Sequence, residues 1–285
     1  VHEVQTDRGI KSMYDLWLAS GTDRTTFYLQ YVQEVLQGLG QGHDLPIVIS
    51  GMASSSIGMV ELPYAPLPFS CQGERLNIQL IDNSLSMEVY LISGVASTDD
   101  VMRGEETQLI GVYESAKPGK KVCYIFPGTH SKHIFCQNNQ VIAFQTYMTG
   151  EIFETIRKHT ILKESIIEGN LDEANERAFV LGVLDASSEN LLHSLFKIRA
   201  TQILKTSEKS ENNFYLSGLL IGHEMAALKT QSVESVYLCA QHDLYTLYAL
   251  AAGTLGISLS TLTKPVEQAT ILGQLKILSF ITERQ

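Results

Sequence analysis

The order of apolar periodicities in the second half of the chain restricts its fold more than any other feature. Three short runs with strand character, VCYIFPG (122–128), SKHIFCQ (131–137) and QVIAFQTY (140–147), follow one another with room only for tight turns, the last two joined at Asn138-Asn139. That spacing predicts an antiparallel β-meander. From 149 to 229 apolar positions recur every three or four residues, over 149–158, 171–181, 190–205 and 210–229, as amphipathic helices require. Strand character returns at 233–240 and 258–263, each run leading into a helical one, 243–255 and 266–281. A meander completed by crossover units reads as an α/β domain with a mixed sheet.

The first half is less regular. The chain opens on Val1-His2-Glu3-Val4 without an initiator methionine, within what reads as a strand over 1–5, and a segment upstream is expected. A turn at Asp7-Arg8-Gly9 and a loop follow. From the N-cap Asp23 a helix runs to Gly38 on Phe27, Tyr28, Tyr31, Val32, Val35 and Leu36. The GLGQG at 38–42 follows a helix rather than bridging a strand and a helix, so it reads as a linker and not a dinucleotide loop. LPIVIS (45–50) has the continuous apolar character of a buried central strand, and it runs into the small residues Gly51 to Gly58, a common setting for a site. Residues 62–98, with Pro63, Pro66 and Pro68 and then alternating runs, read as β-rich and antiparallel. Residues 101–113 read as a loop entering a helix, and Pro118-Gly119 as the turn that divides two domains, 1–118 and 119–285.

At 285 residues, 44% of them hydrophobic and 18% charged, the chain has the make-up of a packed protein rather than a disordered one. A formal net charge of −10 sets a field that repels phosphate backbones and anionic lipid heads, so nucleic acid and membrane are not expected partners. An anionic ligand must then be held by a few local donors. Cys71, Cys123, Cys136 and Cys239 lie far apart in mostly apolar surroundings and read as reduced, buried thiols. No apolar run approaches the roughly 18 residues that span a bilayer, and the expected location is the cytoplasm.

Three segments carry chemistry. Gly128-Thr129-His130-Ser131-Lys132 follows Pro127 between two apolar strands and offers backbone N–H groups, hydroxyls, a His and a Lys, a set that cradles phosphate oxygens. An ordinary polar β-turn has the same composition. His130 and His133 fall on opposite faces of a strand with no third ligand in view, so a protein-held metal is not expected. At Arg103-Gly104-Glu105-Glu106-Thr107 adjacent carboxylates stand at the mouth of a helix beside an Arg. One could take a proton from a substrate hydroxyl while the Arg holds an anionic group, although a solvated acidic helix start looks alike. In LSGLLIGHE (216–224), Gly218 and Gly222 stand four apart and admit a flat ligand or another backbone.

MRGEETQLIG (102–111), IFPGTHSKHI (125–134), YMTGE (147–151) and FYLSGLLIGHEM (214–225), in this order and together with SGMASSSIG (50–58), resemble the 2-dehydro-3-deoxygalactonokinases, members of the actin-like sugar-kinase superfamily. The resemblance covers nearly the whole chain. It implies two RNase H-like α/β domains with ATP and a sugar acid in the cleft between them. It also implies transfer of the ATP γ-phosphoryl to the terminal hydroxyl of 2-dehydro-3-deoxy-D-galactonate, with Mg²⁺ required. The 1–118 domain then becomes the sugar-binding lobe and 119–285 the nucleotide-binding lobe.

The same resemblance assigns roles. Gly128, Thr129, His130, Ser131 and Lys132 match the hairpin that grips the nucleotide phosphates. Gly104-Glu105-Glu106-Thr107 stands where related kinases carry the catalytic base, which makes Glu105 the expected base and Glu106 its competitor. Arg103 is the natural partner of the substrate carboxylate, and Ser54, Ser55 and Ser56 of the sugar hydroxyls. Gly218, Gly222 and Gln241 are expected to pack the nucleotide pocket. The superfamily opens on a strand pair with a D-x-G-[ST] hairpin, and residue 1 lies beyond it, so the first domain is expected to lack that pair. Where a small Gly-containing turn should follow VYLCA (236–240), this chain has Gln241-His242-Asp243. A catalytically impaired paralogue that binds a sugar acid as a sensor is the rival reading, an actin-like assembly ATPase a more distant one, and a homo-oligomer is among the expected partners.

Overall fold

The computed structural model describes residues 4–38, 45–83 and 87–283. It is an α/β structure with mixed sheets, and it divides into two compact units: Val1–Tyr113 with Gln268–Gln285, and Glu114–Glu267. The division falls ahead of Pro118-Gly119, and the last residues, grouped with the second domain in the sequence reading, belong to the first unit. The reason is a backbone contact. The helix Ala269–Thr282 lies against the helix Glu105–Val112 so closely that a Cβ on Gly111 would stand 1.9 Å from the Ala269 carbonyl oxygen, and one on Gly273 1.9 Å from that of Thr107. Lys276 reaches across to donate to the Ile110 carbonyl.

In the first unit, a helix Ile10–Ser20 occupies the stretch expected as a loop, ending on Gly21 in the left-handed conformation at φ 68°. Residues 4–9 carry no strand, and the other residues of the expected 1–5 strand lie outside those described. The helix Arg24–Gly38 forms as expected, with the Asp23 carboxylate accepting the Thr26 N–H at 2.9 Å. The GLGQG linker beyond Gly38 lies outside the described residues. Ile47–Ile49 pairs in parallel with Val89–Ile92, and Ile78–Leu80 pairs antiparallel on the other side. LPIVIS is thus a half-buried flanking strand, and the fully buried central one is Val89–Ile92. A second small sheet joins Ala65–Pro66, Val95–Ala96 and Val101–Met102, again parallel on one side and antiparallel on the other, so 62–98 is mixed rather than antiparallel.

In the second unit the expected meander is present. Lys121–Phe126, Ser131–Gln137 and Gln140–Tyr147 pair antiparallel in sequence order. Asn138 and Asn139 both take positive φ, 51° and 60°, as a two-residue type I′ turn requires. Ser235–Leu238 adds in parallel to Lys121–Phe126, and Leu259–Ser260 in parallel to Ser235–Leu238. Helices Glu173–Ser188, Lys209–Ala226 and His242–Leu255 bury Phe179, Val183, Phe214, Ile221, Met225, Tyr248 and Leu255 against Cys123, Ile125 and Phe135 of the strands. Each such apolar side chain contributes about 1.5–3 kcal/mol of transfer free energy. All four cysteines are buried, and none of them is in a disulfide.

Candidate active site

In the first unit the chain leaves the strand Val101–Met102 through Arg103 and turns at Gly104, whose φ of 114° is open to glycine, into the helix Glu105–Val112. That turn separates the two carboxylates. Glu106 folds back: it accepts the Gly104 N–H at 2.7 Å and the Thr107 hydroxyl at 3.0 Å, and it is fully buried. Burial pushes its pKa up to about 7, outweighing those hydrogen bonds, which favour the ionised form. Glu105 is half-buried and accepts the Arg103 N–H at 3.1 Å.

Arg103 is held on two sides. Its Nη1 donates to the carbonyl and hydroxyl oxygens of Ser54, both at 2.5 Å, and its guanidinium lies 4.2 Å above the Tyr64 ring. Its Nε is buried with no partner. The Gly51–Ser54 turn therefore meets the Arg103-Gly104 loop, and the structure brings Arg103, Ser54, Glu105 and Glu106 into one cluster. The Ser54 and Ser55 side chains are buried and donate to Gly51 and Met52 carbonyls within that turn. Ser56 is the exposed member of the three.

In the second unit Thr129 and His130 form the exposed tip of the hairpin, while Ser131 and Lys132 are buried at its base. The tip rests on the start of the helix Thr149–His159. Glu151 N–H donates to the Thr129 carbonyl at 3.0 Å, and the Glu151 carboxylate meets His130 Nε2 at 2.5 Å. A Cβ on Gly150 would come within 2.6 Å of the Gly128 oxygen. The Lys132 ammonium points back to the His130 carbonyl at 3.4 Å.

Beneath the hairpin, Glu224 accepts four hydrogen bonds: Ser131 at 2.6 Å, His133 at 2.9 Å, Thr149 at 2.5 Å and Tyr248 at 2.8 Å. Its side chain is 1% exposed. One buried carboxylate thus ties two helices and a strand to its own helix. Glu224, Thr149 and His133 received no role in the sequence reading. The available signal was a lone acid in the otherwise apolar LSGLLIGHE run. His130 stands at the exposed tip, outside the strand Ser131–Gln137, whereas His133 is buried within that strand. Among the described residues no group of three His, Cys, Asp or Glu side chains could hold a metal ion.

Gly218 and Gly222 do not line a ligand pocket. Their open faces are filled by the helix Glu173–Ser188: a Cβ on Gly218 would fall 2.0 Å from the Phe179 oxygen, and one on Gly222 2.9 Å from the Val183 Cα. Close helix packing explains both. The polar residues of this helix that line the cavity beside Gly128 and Gly150 are Asn213 and Ser217, one turn apart. Gln241 caps the helix His242–Leu255, and His242 takes a left-handed φ of 46° at the position of the expected glycine-containing turn.

A family model described as 2-keto-3-deoxy-galactonokinase matches residues 3–277. The probable 2-dehydro-3-deoxygalactonokinase of Rhizobium meliloti (strain 1021) is 36% identical over 226 residues, covering 75% of this chain and 72% of that protein. The 2-dehydro-3-deoxygalactonokinase of Escherichia coli (strain K12) is 34% identical over 218 residues, 73% of this chain and 66% of that protein. Among solved structures, the crystal structure of a candidate 2-dehydro-3-deoxygalactonokinase from Sinorhizobium meliloti is similar with a TM-score of 0.76 and 31% identity, covering 88% of this chain and 83% of that one.

Proposed function

Since the chain belongs to the 2-keto-3-deoxy-galactonokinase family, a family of carbohydrate kinases, we propose that it transfers the γ-phosphoryl of ATP to the terminal hydroxyl of 2-dehydro-3-deoxy-D-galactonate. The observation that carries this reading is the split between two adjacent carboxylates. Glu106 is sealed into the Gly104 turn and shapes it, while Glu105 is only half-buried at the mouth of the same helix and is the carboxylate this reading assigns to the ligand. In this reading Glu105 orients the attacking hydroxyl and takes its proton. Arg103, pinned by Ser54 and Tyr64 with a buried donor unused, holds the substrate carboxylate. Ser56 supplies an exposed hydroxyl for the sugar.

The nucleotide side of the reaction falls to the second unit in this proposal, and the sugar acid to the first, each read as an RNase H-like domain. The Gly128-Thr129 tip and the N-terminus of the helix Thr149–His159 offer backbone N–H groups to the phosphates, with the Lys132 charge close behind. Mg²⁺, when bound, neutralises charge on those phosphates. With no three-residue acidic or His/Cys cluster among the described residues, it would be carried largely by the phosphates and water. A cytoplasmic setting is part of this proposal; no described helix is long and apolar enough to cross a membrane.

A coupled assay with ATP, Mg²⁺ and 2-dehydro-3-deoxy-D-galactonate tests the reading. Glu105→Gln should lose turnover by at least about 100-fold, the low end for general base catalysis, while still binding the sugar acid. Near-normal turnover by that variant would overturn the assignment of the base, and no turnover by the unaltered chain the assignment of the activity.

A further inference from the structure

The buried carboxylate of Glu224 divides its two oxygens between separate elements. Oε1 takes the Ser131 hydroxyl and His133 Nε2, both on the strand Ser131–Gln137 that descends from the hairpin tip. Oε2 takes the Tyr248 hydroxyl and that of Thr149, the first residue of the helix Thr149–His159. Above this carboxylate the tip and the helix meet again, where the Glu151 N–H donates to the Thr129 carbonyl and Gly150 lies against Gly128. Tip and helix start are thus fixed to each other at two levels, and the lower one is a single side chain from a third element, Lys209–Ala226.

Stability alone does not call for an ionisable group at this place. The donors are three hydroxyls and an imidazole, with no Lys or Arg among them, and the Glu224 side chain is 1% exposed. A buried charge carries a desolvation cost that well-packed apolar side chains avoid. What a carboxylate does supply is two acceptor oxygens in one rigid plane, which hold donors from separate elements at a fixed spacing.

We propose that Glu224 is a positioning residue for the nucleotide phosphates: through Ser131 and Thr149 it sets the hairpin tip against the helix start, so that backbone N–H groups of both address the same phosphates. This rests on the nucleotide reading above. Glu224 acts on no phosphate itself. The Ser131 and Thr149 hydroxyls, turned inward to it, serve the placement of their backbones rather than the ligand. A small displacement of either element is enough to weaken a site that works by preset geometry.

Equilibrium binding of Mg²⁺-ATP and of adenosine, which has no phosphates, separates positioning from general loosening. Thr149→Val and Ser131→Ala each remove one donor and little volume. Each should weaken ATP about tenfold, the scale of one hydrogen bond to a charged group, and leave adenosine within about twofold. Glu224→Gln, which turns an acceptor into a donor, should do the same. Thr149→Ser keeps the hydroxyl and should restore ATP binding. Val141→Ala, a change in the core at the Asn138-Asn139 end of the meander, is a destabilised reference whose ratio of ATP to adenosine affinity should not move. In the coupled assay, Thr149→Val should raise the KM for ATP and leave that for the sugar acid. Equal losses for ATP and adenosine in Thr149→Val, or undiminished ATP binding, would overturn this inference while the nucleotide reading stands. The expected pattern of binding without phosphorylation of the sugar acid would support it and remove the substrate reading alone. No binding of ATP by the unaltered chain would overturn both. If thermal unfolding shows that Thr149→Val has failed to fold, Ser131→Ala decides by the same ratio.

Discussion

The Ser131 hydroxyl, at the base of the hairpin, donates at 2.6 Å to a carboxylate 93 residues further along the chain, that of Glu224. The same carboxylate takes donors from His133, Thr149 and Tyr248, so all four of its lone-pair sites are in use. Glu224→Gln replaces an acceptor with a donor against partners that already donate. The expected loss is about 1–3 kcal/mol, a fall of roughly 3–10 °C in the unfolding midpoint for a unit of this size. Tyr248→Phe, which removes a single donor, should cost about 1 kcal/mol. A Glu224→Gln chain that melts with the unaltered one would show that the carboxylate does not tie these elements.

Glu106 makes stability depend on pH. Its pKa rises from 4.5 to about 7 on folding, chiefly by burial. Between those values the folded chain binds more protons than the unfolded one, so stability falls as pH rises through that window and levels off above it. The shift corresponds to about 3 kcal/mol in all. Glu106→Gln imitates the protonated form. It should remove this slope between pH 5 and 7 and melt higher than the unaltered chain at pH 8. Parallel melting curves across the range would contradict the raised pKa.

Much of this was legible in the sequence because it rests on short-range rules. Period-two runs closed by Asn138-Asn139 specify the meander and its turn, and the acidic pair at the start of 105–112 reads as a candidate site or as a solvated helix start alike. What was hidden depends on contacts between distant segments. Which of Glu105 and Glu106 is buried follows from the Gly104 turn and its neighbours, not from their order. Gly218 and Gly222 announce a close approach but not that Phe179 and Val183 make it. The helix Ile10–Ser20 buries little beyond Met13 and leaves Leu16 and Leu18 exposed, so its apolar pattern is blurred. Asn213 is silent in sequence because it stands beside Asn212, which is hydrogen-bonded, and nothing in the pair says which amide oxygen lacks a partner.

Gly150 sets the height of the hairpin tip. With a Cβ 2.6 Å from the Gly128 oxygen and 2.8 Å from the Thr129 Cα, Gly150→Ala must lift the tip or shift the helix start. Overpacking of this kind costs about 1–3 kcal/mol, partly offset by the better helix propensity of Ala, up to about 1 kcal/mol. The expected signature is a raised KM for ATP with the KM for the sugar acid unchanged. If both remain as in the unaltered chain, the tip does not hold the nucleotide.

The helix Ala269–Thr282 completes the first unit through the Gly111 and Gly273 contacts, and its displacement is a test that sequence order alone would not suggest. Gly273→Ala places a methyl 1.9 Å from the Thr107 oxygen, in the helix that carries Glu105 and Glu106, and backbone cannot give way as a flexible side chain can. Displacement of the helix should expose the apolar faces around Ile110 and Ile277, both fully buried, at a cost of about 3 kcal/mol or more. Hydrogen exchange should then speed up in 105–112 and leave the strands Lys121–Phe126 and Ser131–Gln137 protected. Exchange that instead rises across the second unit, with 105–112 unchanged, would assign the last helix to the wrong partner.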